Sequence, residues 1–587
     1  MRRFVPPLAV ALVLLAFAAG ASGAARLYAP SYGSGPPEVI GAFERADNGS
    51  LTPVAGSPFA AYPGPPYAVG GLIGFGFGPD GSKAVAGFLF DGGVQGMTVG
   101  AGGQITPTNS VVTRQSEGIA VSPDGRFAYE ATREYPPGTE SQGINVFAIG
   151  ADGALSPFAE SFDVGTSFSQ VAIAPNGRFL FATTGSGVKR FAIEPDGGLS
   201  YLGTTSLGTF GIWPTTSPDG RFLFVGDAGG KGGVYSFTIG ADGSLSPNGE
   251  SALTGGSAVK AFSVSPDGKF LYMPDEGQQK IVVASVAADG SLSVIGSIPV
   301  EDPEVSAVSP DGRYLYWQHG GETEGIAVAA LGADGMPVVL PFNAPWEVDE
   351  PVRFAFQPGP APVAAFKAKA AAPGAAATFN AGSSTNAAHY SWNFGDGTTL
   401  AEGGPKPSHA YKKAGRYTVT LAVTDGQGCG AQQIYTGQST TCPGGTATTT
   451  TAVVDTLPVV SKLKAQPKKF LPKGVGAKGK AGTTFRYALN EKAKVNLKIE
   501  RKLPGRLVGR KCKKPTSANK GRKKCSRFVK AGSRKGTGKV GINKVSFNGK
   551  LKGRPLLPGA YRLTAVATDS AQGRSAPRTA AFRVLPY

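Results

Sequence analysis

The chain has 587 residues, too many for one ordinary hydrophobic core, so several domains are expected. Glycine (86) and proline (46) are abundant and no long amphipathic helical period occurs, which excludes a helical bundle and points to short strands joined by tight turns. The net charge of +19 is unevenly placed: from Leu457 onward 35 Lys+Arg face 3 acids, about +32, leaving about −13 on everything before it.

The first 24 residues, MRRFVPPLAVALVLLAFAAGASGA, carry two arginines, an apolar run from Phe4 to Ala19 and small residues up to Ala24. That is the layout of a signal peptide cleaved near Ala24. The run is short for a membrane span, and no second apolar segment is long enough to cross. A secreted or cell-wall-associated, monomeric protein without a transmembrane segment is expected after cleavage.

A repeat follows. Pro-Asp/Asn-Gly turns begin at Pro79, Pro123, Pro175, Pro218, Pro266 and Pro310, each between two short apolar strands. Proline presets φ, the Asp or Asn side chain closes the turn, and glycine takes the left-handed position. A second turn family alternates with the first: DNGSLTP (47–53), AGGQITP (101–107), ADGALSP (151–157), PDGGLS (195–200), ADGSLSP (241–247), ADGSLSV (288–294) and ADGMPVV (333–339). The second family has seven members and the first only six. The missing turn is divided between the ends, because RLYAPSYG (26–33) matches the strand after such a turn and VRFAFQPG (352–359) the strand before it. Pairing those two strands closes a ring and removes open sheet edges. The expected fold is all-β, with residues 25–358 forming a seven-bladed β-propeller.

These repeats, of the form A-h-SPDG-R/K-h-LY, resemble the YVTN-type and lactonase-like seven-bladed propellers. The resemblance implies the fold, and for activity it implies either a lactonase or cycloisomerase or a non-catalytic surface protein. Lactonase-like enzymes place a Pro-Arg-His triplet at the entry of an inner strand. The stretches SEGIAVSP, FSQVAIAP, IWPTTSP, VKAFSVSP and EVSAVSP lack it, which argues against inherited catalysis.

In a blade with strands a to d, both turn families fall on one face of the disc, and the variable b–c and d–a loops on the other. The variable face is therefore the expected working face. It carries Arg114, Glu117, Arg133, Asp275, Glu304 and His319 as candidate ligand-binding residues. A hydrolase would use His319, Glu117 or Glu134 as base and Arg133 to steady an oxyanion. No DxDxDG-type loop accompanies the acids, so neither a metal nor another cofactor is expected.

Beyond the propeller, YSWNFGDGTTL (390–400) and HAYKKAGRYTVTLAVTDGQG (409–428) resemble a PKD domain, assigned to residues 363–456. Its Trp392 and Tyr417 are expected in the core, and the family's role as spacer or interaction module follows from the resemblance. Alternating strands at TTFRYALNE (483–491), KVNLKIERK (494–502) and AYRLTAVATD (560–569) make 457–587 a basic sandwich, similar to bacterial Ig-like or fibronectin-III-like domains. Cys429 and Cys442 stand at the same spacing as Cys512 and Cys525, without zinc-ligand company. Three connectivities are open, and the simplest closes each pair on itself in an oxidising compartment. Lys513, Lys514, Arg522, Lys523 and Lys524 crowd the second loop. Export and the lack of a recognition helix argue against nucleic acid as partner. An anionic cell-wall polymer or polysaccharide is the expected partner of this domain, and a surface protein the alternative. The protein as a whole is expected to bind, with lactone hydrolysis on the variable face as the alternative.

Overall fold

The computed structural model describes residues 25–587 apart from 32–37, 62–70, 90–92, 114, 134–142, 164–167, 186, 229–231, 250–251, 254–258, 260, 320–324, 346–352, 431, 437–438, 443–446 and 477–478. The expected signal peptide lies outside the described residues. Among those described, no helix is long and apolar enough to cross a membrane.

Seven antiparallel sheets follow one another along residues 25–356. Their innermost strands are Leu72–Phe77, Gln115–Val121, Phe168–Ile173, Gly211–Thr216, Ser263–Val264, Ser306–Val308 and Ala355–Phe356, here blades II to VII and then blade I. Blade I is the divided one. Its inner strand comes from the end of the propeller segment, and Leu27 and Tyr28 of Ala25–Pro30 pair with Phe356 and Ala355. The expected closure is therefore present.

The SPDGR turn is explained atom by atom. In blade III the Ser122 hydroxyl donates to Asp124 (2.6 Å) and accepts from the amide of Phe127 (3.0 Å), while Asp124 accepts from the amide of Arg126 (3.1 Å). Gly125 sits at φ +70° against the ring of Pro79, the proline of the previous blade's turn. The basic residue has a job as well. Arg126 lies over the ring of Phe127 (4.9 Å) and donates to the carbonyl of Pro195 (2.9 Å) in the second-family turn of blade IV. Arg313 repeats this, stacking on Tyr314 (5.3 Å) and reaching Asp47 O (3.0 Å) in blade I. Two residues further on, tyrosines donate forward to the turn glycine of the next blade: Tyr28 to Gly103 O (2.8 Å), Tyr129 to Gly197 O (3.1 Å), Tyr272 to Gly335 O (3.0 Å) and Tyr316 to Gly49 O (2.8 Å). The two turn families thus interlock neighbouring blades.

The turn face also receives a segment from outside the repeats. Val423–Thr448 packs with the propeller, although it falls within the sequence span of the PKD-like region. The Cys429–Cys442 disulfide closes it. Tyr435 is buried there and donates to Phe77 O, Ser439 bonds the Phe356 amide (3.2 Å) and carbonyl (3.0 Å), and the Cys442 amide reaches Pro310 O (3.0 Å). Beside it Arg45 pairs with Asp311 (3.1 Å), both nearly inaccessible.

The second compact unit holds the rest of the PKD-like region together with the basic region. In the former, Trp392, Phe379, Phe394 and Tyr411 form the core, and the Trp392 indole donates to Gly404 O (3.0 Å). Tyr417 is half-buried and stacks on Tyr411 (4.1 Å). Asp396 of the GDG hairpin bonds His409 (2.8 Å), which stacks on Phe394 (4.3 Å). Both halves of the signature are therefore structural.

The basic region is a two-sheet sandwich around Phe470, Phe485, Phe547, Phe582, Ile499 and Leu563. One sheet has the order Val460–Gln466, Thr483–Leu489, Gly541–Phe547. The other is built on Ala493–Val508, paired with Gly559–Thr568 and with the long strand Lys524–Gly538. Cys512 and Cys525 are joined, so both cysteine pairs close locally.

Candidate ligand-binding face

The variable face draws its candidates from three blades. Glu117 is half-buried on the inner strand of blade III, and the backbone of Arg133 pairs with Gln115 of that strand. Glu304 and His319 belong to blade VII and are half-buried, and the Gln318 amide beside His319 donates to Val305 O (3.2 Å). Asp275 of blade VI is fully buried and accepts the Gln278 amide (3.1 Å), capping the short 3-10 turn Glu276–Gln278. Arg114, Glu134 and the side chain of Arg133 lie outside the described residues. Asp275, Glu304 and His319 thus belong to the adjacent blades VI and VII, and Glu117 and Arg133 to blade III.

Two groups there were not foreseen. Glu130, on the second strand of blade III, is fully buried and accepts from Thr113 (2.8 Å) and Asn145 (2.9 Å). Burial pushes its carboxyl up to about 7, against the lowering effect of those hydrogen bonds. It ties the loop before the inner strand to the third strand, and its burial keeps it from bulk ligand.

Arg353 is the other. It precedes the inner strand of blade I, and its guanidinium lies 5.4 Å from the ring centroid of Trp213, on the inner strand of blade V. Trp213 holds a left-handed backbone (φ 50°) where the pairing register of its strand shifts. Its indole packs against two apolar clusters, one shared by blades V and VI and the other by blades VII and I. Desolvation lowers the Arg353 pKa to about 10, which leaves it charged at neutral pH. No carboxylate pairs with it among the described residues. A desolvated guanidinium backed by an aromatic plate suits a carboxylate or phosphate ligand. The sequence signal was a single arginine in the apolar closing strand VRFAFQ, and a tryptophan inside IWPTT.

Residues 90–370 match the family described as lactonase, 7-bladed beta-propeller, and residues 359–438 match the PKD domain family. The chain therefore carries a lactonase-type seven-bladed propeller followed by a PKD domain, with a C-terminal β-rich region that has no family assignment. A curated 6-phosphogluconolactonase of Pectobacterium carotovorum is 32% identical over 165 residues, 27% of this chain. The chain spans about half the length of that relative (48%). Among solved structures, the periplasmic gluconolactonase of Pseudomonas aeruginosa is 20% identical, with 57% of this chain and 99% of that one covered at a TM-score of 0.47. A Lactobacillus plantarum protein is 17% identical at the same 57% and 99% coverage, with a TM-score of 0.48.

Proposed function

We propose that this is an exported envelope protein that binds rather than transforms. Its propeller holds a small anionic ligand at Arg353, its PKD domain acts as a spacer, and its C-terminal domain anchors to an anionic surface polymer. The cation surplus of that last domain carries the reading. Of its three acids, Glu500 is already engaged by Lys498 (2.6 Å) and Arg562 (2.9 Å), so some thirty cations, about the whole surplus, are without an internal counter-charge. Lys513, Lys514, Arg522, Lys523 and Lys524 are all exposed beside the Cys512–Cys525 bridge. Purified cell walls should pellet the full-length protein at low salt and release it at high salt. A protein that stays in the supernatant at low salt would sink the reading.

The family match favours a second reading, lactone hydrolysis on the variable face. Arg353 would there hold the acid group or oxyanion of a sugar-acid lactone. Hydrolysis lost on Arg353→Ala or His319→Ala would establish it; equal rates in wild type and both variants would dismiss it.

A further inference from the structure

The C-terminal sandwich places like charges where a sheet tolerates them least. In its three-stranded sheet Lys464 is directly opposite Arg486, and Arg486 directly opposite Lys544. Their neighbours Ala465, Phe485 and Val545 face the core, so the three cations occupy one row on the outer face. Neighbouring strands lie roughly 4.8 Å apart, so the row spans roughly 10 Å. Like charges directly opposite destabilise a sheet, and among the described residues no carboxylate pairs with any of the three. Two residues along the strands comes a second outer row, Gln466, Thr484 and Ser546, all hydrogen-bonding groups. The Arg486 guanidinium donates across to the side-chain amide oxygen (Oε1) of Gln466 (3.5 Å).

That polar row runs into a cavity of about 590 Å³. Lys473, Lys480 and Arg534 line it with Gln466, Thr484 and Ser546, and its described lining contains no Asp or Glu. Arg534 is set over the ring of Phe547 (5.8 Å), whose side chain belongs to the core. The sequence of features is thus three cations, three hydrogen-bonding side chains, then three more cations around a concavity.

We propose that this outer face is a track for a linear polyol polymer bearing phosphate or sulfate esters, with the cavity taking one ester group. The cation rows would hold the esters, and the Gln-Thr-Ser row the polyol hydroxyls between them. A single small anion would need only one of the two cation sets, whereas a chain uses both. The inference rests on the anchoring role proposed above, and moves its contact surface from the disulfide loop to the sheet.

The test uses the full-length protein, poly(glycerol phosphate) and dextran sulfate as probes, and affinity measured across a salt series. Lys464→Gln/Arg486→Gln/Lys544→Gln should weaken binding about 30-fold at physiological salt and flatten the log–log salt slope by about 2, as expected for three lost ester contacts on a flexible chain. Lys473→Gln/Arg534→Gln should act in the same direction. Lys513→Gln/Lys514→Gln/Lys523→Gln removes as many charges from the disulfide loop and should cost less than about threefold if the track is specific. Equal losses in the two triple variants would overturn the track while leaving the anchor standing. No binding of the wild type to either probe would overturn the anchor itself. The probe that binds tighter identifies the ester as phosphate or sulfate. Duplex DNA binding tenfold tighter than both would overturn the polymer class. Removing the opposed cations should not lower the melting temperature, so lost binding would not report unfolding.

Discussion

Tyr316→Phe tests the interlocking of blades at the ring closure. The Tyr316 side chain is fully buried and its hydroxyl donates to Gly49 O at 2.8 Å, joining blade VII to blade I. Burial raises its pKa far above the working range, so the donor is present at every practical pH. Phenylalanine keeps the ring and its contact with Phe356 (5.8 Å between centroids) but leaves the Gly49 carbonyl without this partner. An orphaned buried acceptor costs about 1–3 kcal/mol, so about 2 is expected. A propeller of this size has an unfolding entropy of roughly 0.7 kcal/mol/K, which converts the loss to a fall of about 3 °C. Calorimetry of the propeller transition should show that fall. The control is Tyr201→Phe, a half-exposed residue whose hydroxyl bonds Thr204 (2.7 Å) within its own blade. Equal shifts in the two variants would refute the forward latch as a source of stability.

Four further outcomes are expected. Because the native Glu130 carboxyl keeps its proton up to about 7 and the unfolded one to about 4.5, its contribution is full below the lower value and lost as pH rises through the upper. The propeller should weaken by about 3 kcal/mol across that window, and Glu130→Gln should flatten the profile in denaturant titrations at several pH values. Gly335→Ala would set a methyl 2.4 Å from the Phe270 ring at φ +81°, and should cost about 2–4 kcal/mol in the same titration. Reducing the Cys429–Cys442 bridge should release about 3 kcal/mol of loop restraint and speed hydrogen exchange at Tyr435. Phosphate or gluconate should raise the melting temperature of the wild type, and Arg353→Met should abolish that rise.

The propeller was legible because its turns repeat, and a repeat converts weak local signals into a count. The divided seventh unit gave the closure, since Leu27 and Phe356 each matched half of a pattern seen whole elsewhere. The basic residue behind each turn was legible only as a repeated feature. Its stacking on the following ring and its reach into the next blade need coordinates, because Arg313 and Asp47 are far apart in sequence. The site was less legible for a related reason. Exposed acids in loops attract attention, yet Asp275 is fixed in a cap, while Arg353 and Trp213 meet across the inner strands of blades that are distant along the chain. Single residues in apolar strands carry no pattern by which to find them. In the C-terminal domain, clustering drew the eye to the disulfide loop, whereas the opposed row of Lys464, Arg486 and Lys544 appears only once strand register is known.

The latches also have a direction. Tyr28, Tyr129, Tyr272 and Tyr316 each reach a turn that lies in the following blade, and blade VII reaches back to blade I. A chain emerging from its N-terminus therefore finishes each of these contacts one blade late. Blade I waits longest among the blades, for its inner strand Ala355–Phe356 and the latch from Tyr316 come from the other end of the propeller segment. The first strands to appear thus depend on the far end of the propeller segment for their inner neighbour.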